Sequence, residues 1–514
     1  NHPEMYGTPE KIREAMENND VLYYGEGVQA IVSSIKSGEA QYFITNGRVE
    51  ASNSNEGMQC QYTLGHLPML LNKNPKKVFV LGTGSGMTLG ATLVHPGVEQ
   101  VTLAEIEPKV LGVARTFGIY NHYALHNPKL KIVFNDGRNF LLTTTEKFDV
   151  ITADPIHPWF SGAGYLYSTE YFKLAARHLN PGGIVCQWLP LYELTEENLK
   201  SVVATLRDNF SFIMVWLTHD DAELVGSNSP IIIDEVELER RIRVPEVLQD
   251  LDRVKMGSAE DFLSYFVMGT EGAKAYSYGG RINTDNNLYL EFSAPHSIGR
   301  SRLMGTNVYD LVKYRESILP YLNAPADAVG RAKQKNKWEK NLKAALLDDQ
   351  AHVLNLAGRY DTPEYNKLSS ELDARYAAYA PWRFLKNETP VENEGRPSLL
   401  KQIVLGLIGE KGDVVSVQFA AVIIRGSDEK ARVFFVDNSS RVVFGKLRVR
   451  GANRDAYIKA FVDDVMKGVK ALYNEEQKIG TASGNAYPSA TSLLPKIKHL
   501  VEVKVDREED VKSQ

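Results

Sequence analysis

The chain has 514 residues, 43% apolar and 24% charged, with a formal net charge of −5. That length predicts about three domains, the composition an ordinary globular chain, and the slightly acidic balance argues against nucleic acid as a partner. Two cysteines in apolar surroundings, Cys60 and Cys186, indicate neither a disulfide framework nor a zinc cage, and the best apolar run, Ile403 to Ile408, falls far short of the roughly 20 residues that span a bilayer.

The chain starts at Asn1 rather than Met, which reads as a processed product or a fragment. Residues 1 to about 20 form a polar lead-in with a short helix over 9–17. Val21 to Val49 reads as strands and turns, with turn signals at Ser37-Gly38 and Asn46-Gly47, the second a strong hairpin marker. A β-hairpin layer is therefore expected over residues 1–72, closed by a helix from Asn55 to Leu71. Residues 73–300 alternate strands and helices, the pattern of a doubly wound, Rossmann-like α/β sheet. Strands are expected at 78–81, 101–104, 131–134, 148–153, 184–188 and 212–217, and helices at 87–94, 108–117, 168–178 and 195–208. Gly182-Gly183 reads as a turn, and Tyr289 to Phe292 as a closing strand. Residues 301–388 carry helical periodicity, and 389–398 read as a linker. Residues 389–514 suggest an α+β domain: strands within 413–425 and 432–449, a turn at Asp437 to Ser440, a helix at 453–474 and a flexible tail over the last 40 residues. Beyond residue 300 no motif carries chemistry, and the basic residues from Arg441 to Arg450 read as the solvated face of a strand pair.

The stretch that organises the chain is Lys77 to Gly90. Four apolar residues run into Gly82-Thr83-Gly84-Ser85-Gly86 and a helix begins near Met87. A strand, a glycine-rich turn and a helix bring backbone close to a nucleotide-like ligand at the carboxyl end of a parallel strand. The next strand ends at Glu105, about 20 residues on, the spacing at which a carboxylate meets ribose hydroxyls. Thr88 stands where a dinucleotide fingerprint has its third glycine, which tilts the ligand toward an adenosyl compound. Asp136, Asp154 and His157 follow later strands. Asp136 also suits a helix N-cap. Asp154 ends an apolar strand, precedes Pro155 and caps no evident helix, so its burial calls for a cation or proton donor. His157 suits either packing on Trp159 or facing a substrate.

The runs GTGSG, AEIEP, NDGRNFL and FDVITADPIHPW resemble the spermidine/spermine synthase family, the polyamine aminopropyltransferases. Within it, D-P-x-H-P-W, CQWLPLYEL and NTDNNLYLEF look most similar to the bacterial branch often joined to membrane-spanning segments. The similarity covers roughly residues 20–295. It implies that Gly82, Gly84 and Gly86 pass under decarboxylated S-adenosylmethionine, with Ser85 in the same loop. Glu105 would hold the ribose, Asp136 and Gly137 would meet the adenine, and Gln29 and Gln61 would contact the donor. Asp154 matches the acid that takes the proton of the attacking amine or orients it, while His157 and Trp159 border the acceptor. Trp159 to Tyr165 would form a gate. No metal is implied, and the partners implied are a small amine and a second copy paired through the synthase domain.

The sequence departs from the well-studied synthases, which have acids where Ser85 and His157 stand and a tyrosine near Cys60. Losing two negative charges weakens the hold on a dicationic diamine. Three readings stay open: transfer from the decarboxylated donor to an amine, methyl transfer from S-adenosylmethionine, or a catalytically inactive scaffold whose C-terminal region docks to a protein or membrane assembly. The expected location is cytoplasmic, with membrane association and export left open.

Overall fold

The computed structural model describes residues 19–300, 303–360, 362–386, 397–408, 414–425, 431–436, 443–449, 454–482 and 487–511. The helix expected over 9–17, most of the linker and the turn at Asp437 to Ser440 lie outside these residues. Residues from Asp20 onward build an antiparallel layer of β1 (Asp20–Glu26), β2 (Ile31–Ser37), β3 (Ala40–Thr45) and β4 (Arg48–Ser52), paired in sequence order. Asn46 and Gly47, both at positive φ, make the two-residue turn between β3 and β4. Val32 and Phe43 face inward from this layer.

A helix, Asn55–Leu71, follows. Ser54 caps it by accepting from the Gly57 N–H, and every residue from Met58 to Leu71 is buried. A helix buried on all sides belongs in a core, and this one lies against the large sheet.

That sheet has eight strands: β5 (Lys77–Leu81), β6 (Gln100–Glu105), β7 (Leu130–Phe134), β8 (Phe148–Ala153), β9 (Leu179–Pro190), β10 (Phe212–Leu217), β11 (Asp221–Ser227) and β12 (Phe266–Met268). Their spatial order is β12-β10-β11-β9-β8-β5-β6-β7. β5 pairs in parallel with both β6 and β8, so the strand order reverses there, and a doubly wound sheet opens its ligand crevice at that reversal. β11 runs antiparallel between β9 and β10. The order is that of a Rossmann-like, methyltransferase-type sheet.

Three readings of the sequence need correction within this unit. β11 and β12 were not expected. The Gly182-Gly183 turn is an irregularity inside β9, whose pairing with β8 jumps from Leu179 to Ile184, with Gly182 at φ 77°. Tyr289 to Phe292 is not a strand but part of a short helix, Tyr289–Ser293. There Leu290 is buried while Phe292 is 70% exposed, which breaks the alternation a strand requires.

Helices Ala328–Leu356, Pro363–Tyr376 and Ala380–Leu385 pack around Trp382, Leu372 and Ala345. They complete a compact unit formed by residues 1–114 and 120–389; residues 390–514, with 115–119, form a second. In the second, β13 (Pro397–Ile408), β14 (Val414–Arg425), β15 (Ala431–Val436) and β16 (Val443–Val449) form one antiparallel sheet. The helix expected at 453–474 extends over Arg454–Ala482. Where a tail was expected, a helix spans Ala490–Val511. Its buried Leu493, Ile497 and Val501 recur every fourth residue, a helical stripe that the surrounding charges conceal. Among the described residues no helix is long and apolar enough to cross a membrane.

Candidate active site

Four apolar residues at the end of β5 are buried by the sheet's neighbours, so the chain must turn sharply to leave the core. It does so through Gly82, Gly84 and Gly86, at φ 83°, 51° and 81°. L side chains rarely adopt such angles. The Gly82 N–H donates to the Ala104 carbonyl at 2.9 Å. A Cβ at Gly84 would meet nothing within 4 Å, whereas one at Gly86 would lie 2.8 Å from Asn121 Nδ2. Gly84 therefore faces open space, and Gly86 is a packing glycine at the start of the helix Met87–Leu93.

Beyond this loop lies a cavity of about 590 Å³, framed by the carboxyl ends of β5, β6 and β8 on one side and the hairpin layer on the other. Five carboxylates line it, Glu50, Glu105, Glu107, Asp136 and Asp154, and no Lys or Arg does among the described residues. Trp188, Phe160 and Ile156 supply apolar wall. A recess whose only charged side chains are acids suits a cationic ligand.

Glu105 is buried, and its two oxygens accept from the backbone N–H groups of Thr83 (2.7 Å) and Glu107 (2.8 Å). Burial pushes its pKa up while those donors hold it down. Each oxygen keeps a second lone pair that a ribose hydroxyl can use. Glu107 accepts from Gln29 N at 2.9 Å and Lys109 N at 2.9 Å, tying the β1–β2 turn to the sheet edge. Gly27 makes that close approach possible, since a Cβ there would lie 2.1 Å from the Glu107 carboxylate. Asp136 caps the helix Gly137–Thr143 through the Asn139 N–H at 2.8 Å and also borders the cavity, so its two expected roles coexist.

Asp154 follows β8 and lines the cavity where the strand order reverses. Burial, reinforced by the negative charge of Glu50, raises its pKa to about 7. A carboxyl group poised there exchanges protons near neutral pH. Both cysteine thiols are buried, and burial pushes their pKa values well above the usual range, which leaves them protonated and non-nucleophilic.

Of the residues expected at the site, Gln29, Gly82, Gly84, Ser85, Glu105, Asp136, Gly137 and Asp154 all line the cavity. Gln61, Gly86, His157 and Trp159 are not in its wall. The Ser85 hydroxyl donates to Gln61 Oε1, so Gln61 lies one layer back. His157 is buried among Trp159, Phe160, Trp188 and Tyr192, with ring centroids 4.5 Å from Trp159. Its Nδ1 sits 3.3 Å from Glu50 Oε2, at ion-pair distance but outside hydrogen-bond geometry. Burial lowers its pKa despite Glu50, so the ring is neutral at neutral pH. Sequence reasoning missed Glu50, Glu107 and Trp188.

The expected gate segment is braced at its far end. The Gly162 N–H donates to Glu291 Oε2 at 3.0 Å, and Asn283 Nδ2 donates to the Gly164 carbonyl at 3.0 Å.

Comparison with known proteins bears on this geometry. Residues 58–219 match the family model described as the spermine/spermidine synthase domain, a stretch that holds the glycine loop, Glu105, Asp136 and Asp154. Over these residues the chain is similar to the spermine/spermidine synthase family. The chain is 35% identical over 182 residues to a polyamine aminopropyltransferase of Aeropyrum pernix, covering 34% of this chain and 58% of that one. It is 32% identical over 170 residues to putrescine N-methyltransferase 2 of Nicotiana attenuata, covering 32% and 45%. The chain thus spans about half the length of these relatives. A crystal structure of spermidine synthase from Thermotoga maritima superposes with a TM-score of 0.41 at 20% identity, over 50% of this chain and 87% of that one.

Proposed function

We propose that the synthase domain transfers an aminopropyl group from decarboxylated S-adenosylmethionine to an amine, releasing 5'-methylthioadenosine. The observation that carries this reading is the cavity wall: five carboxylates, no cation among the described residues, and Asp154 with a pKa near 7 at the strand-order reversal. The donor's sulfonium and terminal ammonium and the acceptor's ammonium are all cations, so each gains from such a wall.

The reaction balances with this chain's residues alone. An alkylammonium, with a pKa near 10.4, has no free lone pair at neutral pH. Asp154 in its carboxylate form takes one proton. The freed nitrogen pair then forms a bond to the carbon beside the sulfonium while the carbon–sulfur pair moves to sulfur, which leaves as a neutral thioether. Gly82 and Gly84 let the backbone approach the nucleoside, Glu105 takes the ribose hydroxyls, and Asp136 with Gly137 takes the adenine end. Ser85, held from behind by Gln61, forms the floor under the sulfur, and positioning supplies much of the remaining acceleration. His157 and Trp159 support the acceptor side from behind the wall.

A second reading, methyl transfer from S-adenosylmethionine, draws on the similarity to an N-methyltransferase. That donor carries a carboxylate, and the wall offers it repulsion rather than a counter-charge. Titration calorimetry separates the readings: the decarboxylated donor and methylthioadenosine bind, and S-adenosylmethionine binds at least tenfold more weakly. Tighter binding of S-adenosylmethionine would favour the methyltransferase, and binding of no adenosyl ligand would favour a scaffold. Pairing of two copies through the synthase domain, and docking of the C-terminal unit to a partner, belong to the same proposal and are read by light scattering and co-purification.

A further inference from the structure

We propose that Glu50 is the specificity residue for the acceptor, holding the second, unreacting ammonium of a diamine while Asp154 receives the first. This rests on the aminopropyl-transfer reading and names its acceptor class.

Glu50 enters the cavity from β4, in the hairpin layer, facing the sheet edge that carries Asp154. Its side chain is only 12% exposed. One oxygen, Oε1, is buried and has no hydrogen-bond partner. A buried carboxylate oxygen left without a donor is costly, so it calls for a partner such as a bound cation, water or ligand.

The neighbours that could neutralise Glu50 do not. His157 approaches Oε2 but is neutral for the reason given above. The nearest arginine in sequence, Arg48, is engaged elsewhere: its guanidinium pairs with Glu193 at 2.6 Å and lies 5.1 Å from the centroid of the Trp159 ring. Glu50 therefore presents a carboxylate that lacks a cation, in a cavity whose other end binds the nucleoside.

Two acids on opposite walls match two nitrogens on one chain. The nitrogen at Asp154 must lose a proton to react, and the nitrogen at Glu50 must keep its charge to be held. A monoamine satisfies Asp154 only and leaves Glu50 unpaired.

The test is initial-rate kinetics of the full chain with the decarboxylated donor, comparing 1,4-diaminobutane with butylamine in wild type, Glu50→Gln and Glu50→Asp. Wild type prefers the diamine. A charge-assisted hydrogen bond removed by Glu50→Gln lowers kcat/KM for the diamine by roughly ten- to a hundredfold, chiefly through KM. The loss for butylamine is smaller, so the selectivity ratio collapses, and Glu50→Asp recovers part of it. Unchanged methylthioadenosine affinity in both variants reports an intact fold. An equal loss for both amines, an unchanged ratio, or a wild type that prefers butylamine overturns the assignment of Glu50 while leaving the transfer reading standing. No product from any amine in wild type overturns both.

Discussion

The proposed chemistry concentrates in one side chain, Asp154. A base works deprotonated, so kcat/KM rises with pH through about 7, with its acid limb set by this group. Asp154→Asn, which cannot accept the proton, lowers kcat by roughly 10²–10⁴-fold while methylthioadenosine affinity is kept; a variant that still turned over at near wild-type rate would remove Asp154 from the role of base. The same shift has a stability consequence. The folded-state pKa lies above the unfolded value, so the favourable contribution of the neutral group is present at low pH and lost as pH rises through about 7. Asp154→Asn is neutral throughout and should melt above wild type at pH 8, with the gap closing by pH 4. Asp154 was legible in the sequence because a carboxylate directly after a buried apolar strand, with no helix behind it to cap, is costly unless a ligand answers it. Glu50 was not: in Arg48-Val49-Glu50-Ala51 it looks like any outward residue of a hairpin strand, and only the opposing layer turns it into a lining group.

At the scale of elements, the strands and helices that build the site were legible wherever local pattern and tertiary burial agree. The helix Asn55–Leu71 and strands β5, β6 and β8 fall where their apolar runs put them. β11 was hidden because Asp221 and Glu223 interrupt its apolar residues. Both are buried, and burial pushes their pKa values well up, while Trp188 donates to Asp221 and Thr218 to Glu223. A different acid fixes the packing behind the glycine loop. Asp250 accepts from His122 at 2.8 Å and lies 3.1 Å from His66, joining the helix Asn55–Leu71 and the segment after residue 120 to the helix Pro245–Arg253. Burial alone would raise its pKa, but His122 and His66 hold it down at about 2. Asp250→Asn breaks this buried cluster and should cost about 3–5 kcal/mol in urea unfolding; a cost below about 1 kcal/mol would show the cluster to be dispensable. Gly90, inside the helix Met87–Leu93, faces the Asn121 carbonyl, which a Cβ would approach to 2.2 Å. Gly90→Ala should therefore destabilise by about 1–3 kcal/mol despite the better helix propensity of alanine, and a stabilising effect in thermal melts would contradict this packing.

Over the whole molecule, the proposed function belongs to the first compact unit, where hairpin layer and sheet edge enclose an acid-lined cavity. The general architecture of that unit was legible because alternating strands and helices allow few topologies. The second unit was less so: β13 coincides with a run too short for a membrane, and its last helix is masked by charge. The central claim is that the cavity brings a sulfonium nucleoside and an amine together for aminopropyl transfer. Mass spectrometry of the products formed by the full chain, offered both adenosyl donors and a panel of amines, tests it most directly. The account predicts methylthioadenosine and an aminopropylated amine from the decarboxylated donor; methylated amine and S-adenosylhomocysteine from S-adenosylmethionine would contradict it.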